Sequence, residues 1–259
     1  MRIRTLGAAA SIALLASALT GCAAIDPGEP TTQQREIADV TAIDLQTSGD
    51  VVVTRGDDVS LMVTAGANVI DSITADVRDG VLTLDLQRAF ISFPTFPGPI
   101  TFELTVPMID SVEVSGSGDV TADFAGADAV DLTISGSGDI EATGLDASTV
   151  DATIEGSGNI LAEGIDVDTL TARVDGSGDI TLSGAVATQT LEIDGAGDID
   201  AADVESVDAV ATIDGAGDIA VHATGTLSAA IDGSGTIRYS GSADVEKSVS
   251  GAGDIVRVD

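Results

Sequence analysis

From residue 111 onward the chain alternates apolar and polar positions with period two. In "VDLTI", Val130, Leu132 and Ile134 alternate with Asp131 and Thr133. In "DIEAT", Ile140 and Ala142 alternate with Asp139 and Glu141. This period puts the apolar side chains on one face of a half-buried strand. No segment after the N-terminal leader carries a helical apolar stripe. Between the strands one glycine-rich phrase occurs eight times: "VSGSGDV" at 114, "ISGSGDI" at 134, "IEGSGNI" at 154, "VDGSGDI" at 174, "IDGAGDI" at 193 and 213, "IDGSGTI" at 231 and "VSGAGDI" at 249. Its first glycines are separated by 20, 20, 20, 19, 20, 18 and 18 residues.

A fixed period near twenty marks a solenoid. Each repeat holds two short strands and two corners. The G-[SA]-G phrase makes one corner, and a looser phrase such as "TGLD" at 143 or "EGID" at 163 makes the other. One rung cannot bury its own inner face, but stacked rungs can. Equivalent strands then pair in parallel, and eight rungs ~4.8 Å apart make a rod of roughly 38 Å. Parallel crossovers are overwhelmingly right-handed. The expected fold is therefore all-β: a right-handed parallel β-helix with rungs of about 20 residues, spanning 111–259. Glycine is expected at the phrase because the corner needs φ > 0. Ser or Ala is expected between the glycines because a stacked corner leaves little room.

Residues 38–110 alternate too, in "VTAIDL", "DVVVT", "SLMVT", "GVLTLDL" and "ITFELTV", but at irregular spacing. "TSGDVVV" at 47 reads as a degenerate copy of the phrase. This portion is expected to be less regular β-structure that caps the solenoid, because an open solenoid end is an edge prone to polymerise.

Composition narrows the picture. Aromatic residues make up 2% of the chain and Trp is absent, so the core must be Ile, Val, Leu and Ala. Thirty glycines against six prolines argue against a disordered Pro-rich chain. A net charge of −33 excludes a phosphate-binding surface, hence nucleic acid, and direct attraction to anionic lipid. Cations and cationic partners are the electrostatic guests it favours.

The N-terminus, "MRIRTLGAAASIALLASALTGCAA", has Arg2 and Arg4 ahead of an apolar run from Leu6 to Leu19. The run is too short to span a bilayer, so residues 1–21 read as a signal peptide. It ends in Leu19-Thr20-Gly21-Cys22, which matches the lipobox of bacterial lipoproteins. Cys22 is the only cysteine and is the expected lipidation site. Residues 22–37 read as the lipidated Cys and a flexible tether holding the folded part ~20 Å from the membrane. The expected location is extracytoplasmic, anchored to a bacterial membrane by lipid.

The lipoprotein start, "TSGDVVVTRGD", "ITFELTVPMIDSVEVSGSGDV" and the tandem G-S-G-D-I phrases together resemble the bacterial head GIN domain family of auto-transporter adhesins, in a lipoprotein member. The resemblance covers roughly residues 38–259. It implies a pectin-lyase-like β-helix without recognised catalytic residues and a role in adhesion at the cell surface. It brings no set of functional residues with it.

The acidic residues offer the main candidate chemistry. Asp119, Asp139, Asn159, Asp179, Asp198, Asp218, Thr236 and Asp254 take one place in successive rungs. Glu155, Asp175, Asp194, Asp214 and Asp232 form a second column before the glycine. Carboxylates stacked ~4.8 Å apart repel by ~1 kcal/mol per pair even in water. Solvent and backbone N–H groups at the turn relieve this in one reading. Calcium held by Asp119, Asp139, Asp179, Asp198, Asp218 and Asp254 relieves it in the other. Against calcium, the period is not that of the nonapeptide calcium repeat, and Asn159 and Thr236 interrupt the column. No cofactor and no firm metal site are expected.

Phe90, Phe93 and Phe96 share a proline-rich loop, either a plug over the β-helix or an exposed contact finger. His222, the only histidine, reads as outward-facing on a strand. With no second His and no free Cys, catalytic triads and structural zinc have little support. Paired carboxylates arise by chance in so acidic a chain, so they are weak evidence for glycoside hydrolysis. An enzyme would need a groove with a carboxylate cluster and an Arg such as Arg173 or Arg238. The sequence therefore points to a non-enzymatic adhesion or envelope scaffold protein with a polysaccharide or surface protein as partner. A polysaccharide-acting β-helix enzyme and a calcium-dependent binding module are the alternatives.

Overall fold

The computed structural model describes residues 26–87 and 98–258. Cys22 and the loop bearing Phe90, Phe93 and Phe96 lie outside these residues. The described chain is all-β: a parallel solenoid of about seven turns with a less regular N-terminal part. A single 3₁₀ turn at Ile70–Ser72 is the one helical element among the described residues.

The N-terminal part holds β1 (Pro30–Arg35), β2 (Ala42–Leu45), β3 (Asp50–Arg55), β4 (Ser60–Gly66), β5 (Ile73–Arg78), β6 (Val81–Leu86) and β7 (Thr101–Val106). The solenoid continues with β8 (Ser111–Val114), β9 (Val120–Asp123), β10 (Ala129–Ile134), β11 (Ile140–Thr143), β12 (Asp146–Ile154), β13 (Ile160–Val174) and β14 (Ile180–Ile193). It ends with β15 (Ile199–Gly215), β16 (Asp218–His222), β17 (Thr226–Gly233), β18 (Thr236–Ser240), β19 (Asp244–Gly251) and β20 (Asp254–Arg257).

The core is built from in-register columns. Leu45, Val114, Ile134, Ile154, Val174, Ile193, Ile213 and Ile231 stack in one column, all buried. Val51, Val120, Ile140, Ile160, Ile180, Ile199, Ile219 and Ile237 form its counterpart after the glycine phrase. Each such side chain contributes about 1.5–3 kcal/mol on burial. Period-two alternation makes the columns possible, because a rung repeat places the same inward residue over itself.

The rungs have one more side than the sequence pattern suggests. Between the looser corner and the long strand, Asp146 and Ala147 pair with Asp166 and Val167, which continue to Ala185 and Val186 and then to Glu205 and Ser206. This short third side carries too few apolar residues to stand out as a strand in the sequence.

Glycine at the phrase has a different cause from the one expected. Only Gly233 and Gly251 among the phrase glycines have positive φ. At the others the constraint is space. A Cβ on Gly136 would lie 1.9 Å from the Gly116 carbonyl oxygen, and one on Gly138 would lie 2.0 Å from that of Gly118. Stacked backbones approach so closely here that no side chain fits between rungs. The residue between the glycines is exposed at Ser117, Ser137, Ser157 and Ser177, so the restriction falls on the glycines and not on it. Left-handed glycines occupy the other corner, with φ of +70° at Gly144 and +69° at Gly164.

Spatial order departs from chain order at the N-terminal end. β2 pairs in parallel with both β6 and β8, and β3 with both β7 and β9. The β2–β3 rung therefore lies between the later β6–β7 rung and the start of the solenoid. Antiparallel β5 covers β6, antiparallel β4 covers β7, and β1 covers β4. β1 corrects the tether expected over 22–37, because residues 30–35 are a paired strand. Its sequence, Pro-Thr-Thr-Gln-Gln-Arg, has no apolar face; backbone pairing holds it, with side-chain hydrogen bonds between Thr32 and Thr64, from Gln33 to Asp71 and from Arg35 to the Ile70 carbonyl.

Candidate functional site

The Asp column is a hydrogen-bonded ladder. The backbone N–H of each residue donates to the side-chain oxygen of its equivalent one rung earlier. Asp119 N–H donates to Asp50 Oδ1 at 3.2 Å, Asp139 to Asp119 at 2.9 Å, and Asn159 to Asp139 at 2.7 Å. Asp179 donates to Asn159 at 3.0 Å, Asp198 to Asp179 at 2.9 Å, Asp218 to Asp198 at 2.8 Å, and Thr236 to Asp218 at 2.8 Å. Asp50, from the degenerate copy of the phrase, starts the series. At the far end Asp254 N–H turns to the Gly235 carbonyl at 3.2 Å, beside the rung where Thr236 interrupts the column. A corner amide that the strand ladder leaves over thus finds its acceptor in the preceding rung's aspartate or asparagine side chain. Asn159 does the same work with a neutral amide oxygen, so an acceptor is what the position requires.

The second column meets one cation. Arg173 lies 2.9 Å from Asp175 and 2.5 Å from Glu192, and it also pairs with Asp194. The hydrogen bonds that Arg173 donates to Asp175 first and then to Glu192 raise the guanidinium's pKa further. Arg238 pairs with Asp218 at 3.1 Å. Each of these two arginines is thus engaged by carboxylates at the solenoid surface, where an ion pair contributes about 0–1 kcal/mol. Glu113 faces the opposite situation. Its carboxyl pKa is raised by partial burial first, then by Asp44, Asp131 and Glu155.

His222 lies on β16 with Nδ1 2.9 Å from Ser240 Oγ, one rung away. Its carbonyl accepts from Ser206 Oγ at 2.6 Å and from Gln189 Nε2 at 3.1 Å. Gln189 and Ser206 are buried polar residues in otherwise apolar inward columns, between Leu170 and Ala209 and next to Val186 respectively. The His222 carbonyl that they hold lies in the first of the 18-residue rungs. Sequence reading missed this clasp. A polar residue at an inward position was its one visible signal.

The outer faces are shallow. One depression, of about 550 Å³, runs along four rungs past Thr188, Asp208, Thr226 and Asp244. Asp208 Oδ1 in it already accepts from the Thr226 N–H and hydroxyl, at 3.0 and 2.6 Å. Among the described residues no three His, Cys, Asp or Glu side chains converge as metal ligands would. No helix among them is long and apolar enough to cross a membrane.

Fold and surface together define a parallel β-solenoid whose repeated motif serves its own backbone. The model of the family described as "Putative auto-transporter adhesin, head GIN domain" matches residues 39–165 and 152–243. The chain belongs to this family. Among solved structures it is similar to a "putative lipid binding protein" from Parabacteroides distasonis, at 28% identity over 90% of this chain and 98% of that one, with a TM-score of 0.79. A "putative adhesin" from Parabacteroides merdae shares the fold at 23% identity over 90% and 97% of the two chains, with a TM-score of 0.80. Another from Bacteroides fragilis does so at 24% identity over 89% and 97%, with a TM-score of 0.64. No curated protein matches the chain.

Proposed function

We propose that this protein is a non-catalytic adhesion or envelope scaffold protein, anchored outside the cytoplasmic membrane through lipid on Cys22. The observation that carries this reading is the aspartate ladder. Its carboxylates are the residues that calcium or sugar chemistry would recruit, and each from Asp50 to Asp218 gives an oxygen to the neighbouring rung. The surface left for a partner is the row of outward Thr, Asp, Ser and Glu on the strands. Such a surface suits repeated weak contacts along a polymer or another envelope protein better than capture of one small molecule. Membership of an adhesin family supports the same reading.

The test uses protein beginning at residue 23, incubated with isolated cell envelopes and insoluble polysaccharides, with and without calcium. Phospholipid vesicles are a separate arm, prompted by the lipid-binding description of the Parabacteroides distasonis relative. Pelleting with envelopes or polysaccharide and no new sugar ends in the supernatant is the expected result. Release of sugar ends would make the protein an enzyme. Pelleting only with calcium would assign the free carboxylate oxygens to a cation. Pelleting with vesicles alone would replace adhesion by lipid binding.

A further inference from the structure

The two ends of the solenoid are closed differently. The N-terminal end is covered by antiparallel β5, β4 and β1. At the other end β19 and β20 pair in parallel with β17 and β18, and no described strand pairs beyond them. The register runs undisturbed to this last rung: Val249 stands over Ile231 and Ile255 over Ile237. Val249, in the inward column, is 48% exposed. Such an end offers backbone donors and acceptors, and apolar side chains spaced to receive another rung.

Two residues of the last described rung break the pattern, and one is Arg257: register puts it over Tyr239, with its Nη2 donating to the Gly241 carbonyl at 2.8 Å. The other is Lys247, which register places in the inward column of Leu132, Ala152, Ala172, Leu191, Ala211 and Ala229. Its Nζ lies 4.4 Å from the centroid of the Tyr239 ring and donates to the Ile255 carbonyl at 3.2 Å. Tyr239 stands in the column of Ala201 and Val221, a bulky ring where smaller residues fill earlier rungs. The ammonium is thus held on an aromatic face at the mouth of the core, over the surface an added rung would cover.

We propose that Lys247 is a stop built into the last described rung, which prevents this end from stacking on the same end of a second copy. The opposite end is covered by antiparallel strands, so the second copy would meet this one end to end about a two-fold axis. Both Lys247 ammonium groups would then be buried near each other without a counter-charge, which is strongly unfavourable. An inward charge is a recognised way for a sheet protein to guard an edge.

The test compares the masses of four proteins beginning at residue 23, which carry every strand described, by light scattering over a concentration series. Lys247→Ala restores the alanine of the column. Lys247→Met keeps the long stem against Tyr239 without charge, and Lys247→Arg keeps the charge. The unchanged protein and Lys247→Arg are expected to stay monomeric. Lys247→Ala and Lys247→Met are expected to dimerise, at concentrations at least about tenfold lower than any association of the unchanged protein, a difference of about 1.4 kcal/mol or more. Adding Val249→Asp to either should restore the monomer. If both neutral variants remain monomeric, or if their dimers persist with Val249→Asp, the proposal is wrong. It is equally overturned if the unchanged protein already dimerises through this end and Val249→Asp dissolves that dimer.

Discussion

Asp139 Oδ1 accepts from the N–H of Asn159, and the Asp139 N–H donates to Asp119 Oδ1. Its place in a column is legible from the spacing of the phrase. The bond is not, because it joins residues 20 apart and depends on how one rung seats on the next. Charge and acceptor make opposite demands at this position. Stacked carboxylates repel, while the amide needs an oxygen. Asp139→Ala removes the acceptor of the Asn159 N–H and should destabilise the fold by about 1–3 kcal/mol. Asp139→Asn keeps an oxygen there, as Asn159 does naturally, and should change stability by less than about 1 kcal/mol. Urea unfolding of the two variants gives the comparison. Equal losses would show that the charge itself is needed.

Glycine acts at the level of the corner, and two corners use it for two reasons. At Gly138 the neighbouring rung leaves no volume, with a Cβ 2.0 Å from the Gly118 carbonyl oxygen. At Gly164 nothing lies within 4 Å of an added Cβ, and φ is +69°. Gly138→Ala must push two backbones apart and should cost about 3 kcal/mol or more. Gly164→Ala meets only the left-handed strain of an L-residue, about 1–2 kcal/mol. Thermal melts followed by circular dichroism should rank Gly138→Ala well below Gly164→Ala; the reverse order would mean that dihedral strain and not stacking distance governs the corners. The sequence reading located both corners. It assigned φ > 0 to the phrase because a repeated glycine suggests a turn, whereas the contact that excludes a side chain exists only between rungs.

The whole molecule carries a net charge of −33, and the stacking of rungs concentrates part of it. Glu113 on β8 faces Asp44 on β2, Asp131 on β10 and Glu155 beyond β12, three carboxylates each from a different neighbouring rung. Burial and these neighbours raise its pKa in the fold above its ordinary value. The stability this group adds is therefore fully present below the ordinary carboxylate pKa and is lost as pH rises through the raised one. Glu113→Gln should melt higher than the unchanged protein near pH 7, and the gap should close toward about pH 4. Melting curves of both proteins across that range test this, and a gap independent of pH would remove Glu113 from the balance. The ends also belong to this scale. Antiparallel strands cover one end, and Lys247 is the residue proposed to guard the last described rung at the other.

By itself the sequence determined the strands, their inward residues, the rung period and the columns, because a period-two pattern repeated every 20 residues can bury its apolar face only by stacking. It also carried the family resemblance. Tertiary structure alone decided the insertion of the β2–β3 rung beneath the solenoid, the pairing of the Thr-Thr-Gln-Gln strand, the short third side and the Gln189–Ser206 clasp. Those features rest on backbone hydrogen bonds and on contacts between distant rungs. Backbone groups are the same in every residue, so their partners leave no mark on local composition. They become definite only when the rungs are placed one above another.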